Sequence, residues 1–361
     1  MRLEEAFEIF EITRHQYYYN PKQIKRSRPG CKASTHTLYY GANGSIEEHM
    51  NKEVVDRMKD IQTDDDLRCG YKRMSGQLQI EGYQINHKKV FRLMKEHQIL
   101  LKKALKPIRP YVQHRIARPE EPLTLLEMDI KMVWIEEGRR HAYILTIIDT
   151  FSRLALWWSM GFRMKWKDVR RAWEWVIINH LQPADTLARK LNIEIRSDNG
   201  PQFWAKNLRE FFKDNGLNQV FTHPYTPQEN GHIESFHSIL STAIQHEHFW
   251  TIDQLEARLV IFYEKYNNER VHSSIAYLTP ALFLKAWENN LIVMKKNKKK
   301  CPTFKLKVPR YKLSGNLKSE VVSRSADQRL DAVAKQKKSK KVSGAVTSNH
   351  RSNYQPSVAS R

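Results

Sequence analysis

Residues 196–204 read RSDNGPQFW. Just before them, NIEIR (192–196) alternates apolar and polar side chains as a half-buried strand does. The strand then stops. Asp198 is followed by Asn199 and Gly200, a pair that admits a tight turn, and a helix begins beyond Pro201. An Asp at the open end of a strand can hold something, or it can simply turn the chain. Other carboxylates converging on the same place would decide between the two.

Upstream, three stretches share a β signature: LTLLEMDIKMVWI (123–135), HAYILTIID (141–149) and RLALWWSM (153–160). They are short and rich in aromatic and branched residues. EEGRR and TFS separate them, which describes a three-strand meander. A helix follows over 166–181, with Trp173 and Val176 on its apolar side. After the strand ending at Asp198 come a helix through LREFFKDNG, a brief strand at QVF, the loop THPYTPQENG and a helix from near His232. This order predicts an α/β domain, a mixed sheet flanked by helices. In its last helix Leu255, Leu259, Phe262 and Tyr266 share a face.

The region before it has helical periodicity. Residues 1–20 hold an apolar pattern (Ala6, Phe7, Ile9, Phe10), with Thr13 as a cap, and residues 20–48 read as a basic connector. From Glu53 three helices are predicted, the second ended by Gly82 and the third capped by Asn86. On the third, Lys88, Arg92 and Lys95 form one basic stripe with Lys89 beside it, opposite an apolar face. A helix-turn-helix needs such a stripe to reach phosphates and base edges in a major groove. An ordinary helix with a solvated basic face would look the same.

The 361 residues carry a formal net charge of +22, and the stretch from Leu291 to Arg361 supplies +16 of it. A polyanion, nucleic acid before membrane, is the natural partner, with a solvated tail that binds nothing as the alternative. Cys31, Cys69 and Cys301 stand far apart with no CxxC pair, against both a disulfide framework and a zinc finger. No apolar run is long enough to span a bilayer and the amino terminus lacks a signal-peptide core, so a soluble, intracellular protein is expected.

Asp129 lies mid-strand, Asp198 at a strand end, and Glu234 in the first turn of the helix opened by ENGHIES. A carboxylate inside an apolar strand is costly unless it is paired or metal-bound. Three that meet must hold protons or divalent cations. Hard oxygen ligands with open positions suit Mg²⁺ or Mn²⁺, and two such ions about 4 Å apart clamp an in-line displacement at phosphorus. Any one of these acids alone would read as a surface carboxylate or a helix cap.

Asp198 and Glu234 are separated by 35 residues, and TPQENGHIES closes the interval. This resembles the retroviral-integrase-like core of DDE transposases, most closely the OrfB-type transposases of bacterial insertion sequences. DIKMVWI, IIDTFSR and RSDNGPQF are similar to the core's strand motifs, and YNNERVHSSIAYLTPALF to the signature that closes it. CGYKRMSGQLQIEGYQINHKKVFRLMKE resembles the family's helix-turn-helix. The resemblance runs from Val54 to Trp287. It implies an RNase H-like five-stranded mixed sheet, two Mg²⁺ ions with Mn²⁺ as a substitute, and phosphoryl transfer. Water attacks at the element ends and the freed 3′-hydroxyl then attacks target DNA. Its three catalytic, metal-holding acids map onto Asp129, Asp198 and Glu234.

The organisation expected is an N-terminal helical segment and connector (1–50), a helix-turn-helix domain (51–105), a linker (106–122), the catalytic core (123–290) and a Lys-rich disordered tail (291–361). Asn199 with Gly200, and Asn230 with Gly231, are expected to give the turns that present Asp198 and Glu234. His237 and Ser238, on the face of Glu234, are candidate DNA contacts, although His237 could equally be an ordinary surface histidine. Asp149 reads as a turn residue bonding local backbone, and Glu229 as the weaker candidate for the third acid. The sequence departs from the family at Ser241, where a basic residue is common, at Glu127, where Trp is common, and at Lys131, where Thr is common. It also lacks a His/Cys zinc module.

The implied partners are the element's terminal inverted repeats, target DNA, further copies of the chain on that DNA, and a subunit from an upstream reading frame. The implied location is a bacterial cytoplasm, at the nucleoid. Two other readings remain open: a degenerate transposase retaining only DNA binding, and an RNase H-like nuclease acting on RNA or hybrids.

Overall fold

The computed structural model describes residues 3–17, 33–41, 44–101, 119–189, 191–222, 227–296 and 302–313. The chain divides into two units, Met1–His36 and Thr37–Arg361. The first carries two short helices, α1 (Leu3–Ile9) and α2 (Arg14–Tyr17). Among the described residues no helix is long and apolar enough to cross a membrane.

Strands β1 (His36–Tyr40), which begins at that boundary, and β2 (Ile46–Met50) form a two-stranded sheet. These strands occupy part of the stretch expected to be a connector. A backbone bond to the helical domain accounts for the difference. The Tyr40 N–H donates to the Gly82 carbonyl, 2.9 Å away, so β1 is seated on the turn after the second helix of the domain. Three helices come next: α3 (Asn51–Thr63), α4 (Tyr71–Glu81) and α5 (His87–Glu96). Val54, Met58 and Ile61 pack with Met74, Leu78, Val90 and Met94 between them. Gly82 ends α4 at φ 117°, a conformation that disfavours any side chain. Asn86 caps α5, its Oδ1 accepting the Lys89 N–H at 2.8 Å.

The larger core is a five-stranded sheet. β3 (Leu125–Ile135), β4 (Arg140–Asp149) and β5 (Ala155–Gly161) form the expected antiparallel meander. Helix α6 (Trp166–Val176), extended by a π-turn over Ile177–Leu181, crosses to β6 (Ile193–Ser197). Then come α7 (Pro201–Trp204), α8 (Lys206–Asp214), β7 (Leu217–Phe221), α9 (Gly231–Ala243) and α10 (Ile252–Asn268). The strand order is β5-β4-β3-β6-β7, with β6 and β7 parallel to β3, the RNase H-like arrangement.

Strand alternation sorts the side chains of β3. Leu126 and Met128 point into one core with Leu145 and Ile147 of β4 and Trp173 and Val176 of α6. Residues 127 and 129 therefore point the other way, toward the layer in which Ile144 and Ile148 pack with Ile233 and Phe236 of α9 and Leu259 and Phe262 of α10. Both candidate acids of the central strands belong to that second face or its rim.

The helical domain packs against the core. Arg258 of α10 grips Asp66 with two hydrogen bonds, Nη2 to Oδ1 at 2.7 Å and Nη1 to Oδ2 at 3.1 Å. Lys265 pairs with Asp64, and Arg270 donates to the Asp66 carbonyl. Gly76, in the middle of α4, meets Val271 and Tyr277 so closely that an added Cβ would lie 2.9 Å from Tyr277 Cβ.

The expectation of a structureless region from Leu291 is corrected for its first part. After α11 (Pro280–Glu288), β8 (Ile292–Lys296) and β9 (Pro302–Leu306) pair antiparallel. Ile292 and Leu313 are buried with Phe151 and Phe283, and Phe304, Leu306 and Val308 pack against them. Lysines alternate with these apolar residues, so a strand's period of two is hidden beneath the charge. The remaining tail, 314–361, and linker residues 106–118 lie outside the described residues.

Candidate active site

Glu127 and Arg196 are the last register partners of the parallel pair β3–β6. Two residues beyond each stand Asp129 and Asp198. Equal steps along parallel neighbours keep side chains level and on one face, so the register puts both acids at one place on the rim. Asp129 is half-buried and Asp198 exposed.

Local bonds set both carboxylates. Asp198 Oδ1 accepts the Gly200 N–H at 3.0 Å, a turn made by the side chain itself, and Asn199 Nδ2 donates to the Thr222 carbonyl at 3.0 Å. Asp129 Oδ1 accepts the Ile130 N–H at 2.7 Å, and its Oδ2 stands 3.2 Å from His237 Nδ1 of α9. The tight turn expected here is present, with Gly200 at φ −60°, a backbone any residue can adopt. A Cβ there would lie 2.3 Å from Gln202 Nε2, the movable end of an amide side chain, and 3.1 Å from Asp198 Oδ1.

Glu234 is exposed in the first turn of α9, beside Ile233 and Phe236, which bury into the sheet's second face. Asn230 and Gly231 precede it, but they join a 3₁₀ turn (Pro227–Asn230) to the helix rather than ending a strand. A Cβ at Gly231 would meet nothing within 4 Å, so no close approach demands glycine there.

Electrostatics link the three acids. Although both residues are exposed, partial desolvation of their carboxyls at the rim pushes Asp198 and Glu234 above their ordinary range, and the negative charge of Asp129 pushes both the same way. The Gly200 N–H opposes the shift at Asp198. Thus each feels Asp129, as groups sharing a site do. Among the described residues, however, no three His, Cys, Asp or Glu close on a point tightly enough to hold a metal ion.

Glu127, in sequence only a departure from the family, has a place in the site. It is 0% exposed, and its Oε2 accepts the N–H groups of Ile233 at 2.7 Å and His232 at 3.1 Å, the opening amides of α9. Burial raises its carboxyl to about 7 against those hydrogen bonds and the charges of Arg153 and Arg196. Only a charged residue two before Asp129 in an apolar strand could have flagged it.

Other expectations sort clearly. Asp149 is fully buried and accepts from the Leu123, Phe151 and Ser152 N–H groups and the Ser152 hydroxyl, which closes its turn. Glu229 is buried, its carbonyl taken by Arg196 Nη1 at 3.1 Å. His237 is buried and turned to Asp129 rather than outward, while Ser238 is exposed. On α5, Lys88 and Lys95 are exposed, Arg92 lies 3.6 Å from Glu96, and Lys89 donates to Thr37 Oγ1 at 2.8 Å. Burial lowers the Lys89 ammonium below its usual range, and neighbouring Arg92 adds to this.

Residues 119–227 match the integrase core domain, residues 215–280 a second integrase core domain description, and residues 49–106 an HTH-like domain. An uncharacterized 31.7 kDa protein of insertion element IS407 from Burkholderia multivorans is 26% identical over 254 residues, covering 69% of this chain and 86% of that one. The transposase for insertion sequence element IS904 of Lactococcus lactis is 23% identical over 253 residues, covering 66% and 96%. The catalytic core domain of BIV integrase is 22% identical, covers 46% of this chain and 98% of its own, and superposes with a TM-score of 0.34. The fold and the domain matches define a DDE-type polynucleotidyl transferase core with an HTH-like domain before it. Residues 119–280 carry the integrase core, and the chain is an integrase-like transposase of the bacterial insertion-sequence kind.

Proposed function

We propose that this transposase nicks and joins the ends of its own element through Asp129, Asp198 and Glu234. One observation carries the reading. Asp129 and Asp198 stand two residues past a single register pair, of which Glu127 bonds the helix bearing Glu234 and Arg196 bonds the turn before it. The donor set suits the divalent cations of this family: three carboxylates, two of them raised first by desolvation and then by the charge of the third.

Mg²⁺, two ions with Mn²⁺ as a substitute, would be held by these three acids and would supply charge stabilisation at phosphorus and activation of the attacking oxygen. The chain's own groups do the rest. His237 orients the Asp129 carboxylate through its Nδ1 contact. Lys131 lies on the same side of β3, its ammonium lowered by burial and steadied by the charge of Asp129, in reach of a phosphate at the rim. Lys88 and Lys95 of α5 meet the backbone of the terminal repeat, which fixes register on the duplex. The substrate is the element's inverted terminal repeats and then target DNA. The chain acts as a homo-oligomer on that DNA in the bacterial cytoplasm, with a partner subunit from an upstream frame where the element encodes one.

Asp198→Asn should abolish joining of repeat-ended duplex to plasmid in Mg²⁺ and in Mn²⁺, while repeat binding stays at the wild-type level. Undiminished joining would sink the assignment. A DNA-binding protein without turnover is the second reading, and it has an observation in its favour: among the described residues the acids do not close on a common point. Repeat-specific binding by the wild-type chain, with no product in either metal, would select it. Cleavage of RNA–DNA hybrid in preference to repeat ends would select the nuclease instead.

A further inference from the structure

The Glu127–Arg196 pair has a geometry that fold stability does not account for. Both residues are buried and cross-strand partners, and each stands two positions before a candidate acid. Both also reach outward to the segment that delivers the third acid. Arg196 Nη1 donates to the Glu229 carbonyl, in the turn before α9. Glu127 Oε2 takes the two amides just before residue 234. Helix α9 has no side-chain cap of its own at Asn230, so this carboxylate, 105 residues away for His232, supplies the missing acceptor.

We propose that Glu127 and Arg196 form a clamp that registers the first turn of α9 over the β3–β6 strand ends, and so sets the position of Glu234 relative to Asp129 and Asp198. The proposal rests on the assignment of those three acids. Glu127 and Arg196 are positioning residues, acting through the backbone of α9 rather than on substrate. Helix capping alone is a poor explanation. Asn230 already stands at the capping position and makes no cap bond, so a local acceptor goes unused while a carboxylate whose Oε1 has no hydrogen-bond partner is buried instead. Placing the cap on the strand that carries Asp129 ties two parts of the site rigidly together. Strand and helix end then cannot slide independently.

The experiment compares the full-length wild-type chain with Glu127→Leu, Glu127→Gln and Arg196→Met. Amide hydrogen exchange is followed without added metal, and joining of repeat-ended duplex with Mg²⁺. Glu127→Leu leaves two opening amides of α9 without their acceptor and Arg196 and Arg153 without a buried countercharge, so its melting temperature should fall while the chain stays folded at the assay temperature. Protection of the peptide covering 229–236 should fall at least ~10-fold while that of the other core peptides stays near wild type, and kcat for joining should fall ~10²-fold with KM and repeat binding unchanged. Glu127→Gln keeps a carbonyl acceptor for both amides and should restore most of what the leucine variant loses. Arg196→Met should repeat the loss of protection, and it carries the test if the leucine variant does not fold.

Wild-type protection and joining in Glu127→Leu would overturn the clamp, as would a glutamine variant no better than leucine. If the wild-type chain joins no DNA, the transposase chemistry proposed above fails, while the exchange data still decide the clamp.

Discussion

Replacing Gly76 by alanine sets two effects of known sign against each other. Gly76 lies in the interior of α4, where alanine is favoured over glycine by ~1 kcal/mol through backbone entropy alone. In the folded chain the new methyl would lie 2.9 Å from Tyr277 Cβ, 3.2 Å from Val271 Cγ1 and 3.3 Å from the Tyr277 carbonyl. The neighbour cannot give way cheaply. Ala276 and Tyr277 already hold left-handed backbone, at φ 57° and 55°. The Ala276 carbonyl is bound twice by Arg310, and the Tyr277 N–H is bound to His272. Overpacking of this kind costs ~1–3 kcal/mol. The net expectation for the full chain is therefore a loss of up to ~2 kcal/mol, whereas excised residues 44–101 should gain helicity. Thermal unfolding of the full-length variant, beside circular dichroism of the excised pair, reads the two signs separately. A full-length chain stabilised by alanine as much as the fragment would refute the packing of α4 on the core.

Asp149→Asn should lower stability by ~2 kcal/mol in denaturant unfolding, because its four hydrogen bonds weaken and one donor faces the new amide, yet the folded fraction should still join DNA. His180 tests the acid limb. Burial holds its ring down to about 4, below the ordinary 6.5, with Nε2 unpartnered and buried. The unfolded chain takes up that proton first, so the stabilisation is complete above pH 6.5 and is lost as pH falls toward 4, at most ~3 kcal/mol. His180→Phe should flatten the fall in unfolding midpoint between pH 7 and pH 4.5, and an unchanged acid limb would remove His180 from the account.

The parts of this molecule that are legible in its sequence are those decided by near neighbours. The meander of β3–β5, the glycine that ends α4 and the asparagine that caps α5 each depend on a few adjacent residues. So does Asp149, whose four donors lie mostly within three positions of it. The acids are legible as a spacing, but their common rim depends on the β3–β6 register, which no local pattern states. Glu127 and His237 escape a sequence reading for the same reason. One finds its acceptor role on a helix 105 residues later, and the other turns inward because α9 packs with Phe236 against the sheet. Strand pair β8–β9 is masked because charge density dominates a stretch in which Phe304, Leu306 and Val308 keep strict alternation.

Charge, too, reads differently once placed. Arg258, Lys265 and Arg270 are cations of the core, but they bind Asp64, Asp66 and the Asp66 carbonyl, so they hold the helical domain rather than nucleic acid. Non-specific affinity for DNA must then draw heavily on the region beyond α11. That region has two parts with different duties. Residues 291–313 carry nine Lys and Arg and include the strand pair β8–β9, whose apolar residues pack with Phe151 and Phe283, and residues 314–361 carry ten with three acids. A truncation meant to remove charge alone should therefore end the chain at Leu313. Each cation that neutralises a phosphate adds about 0.9 to the slope of log K against log salt. The 1–313 chain should accordingly bind DNA with a shallower salt dependence, an unchanged melting temperature and an unchanged choice of repeat. Ending at Met294 should also cost stability, because Phe304 and Leu313 leave buried partners exposed. Loss of repeat preference in the 1–313 chain would make the tail a recognition element and overturn its assignment as an electrostatic one.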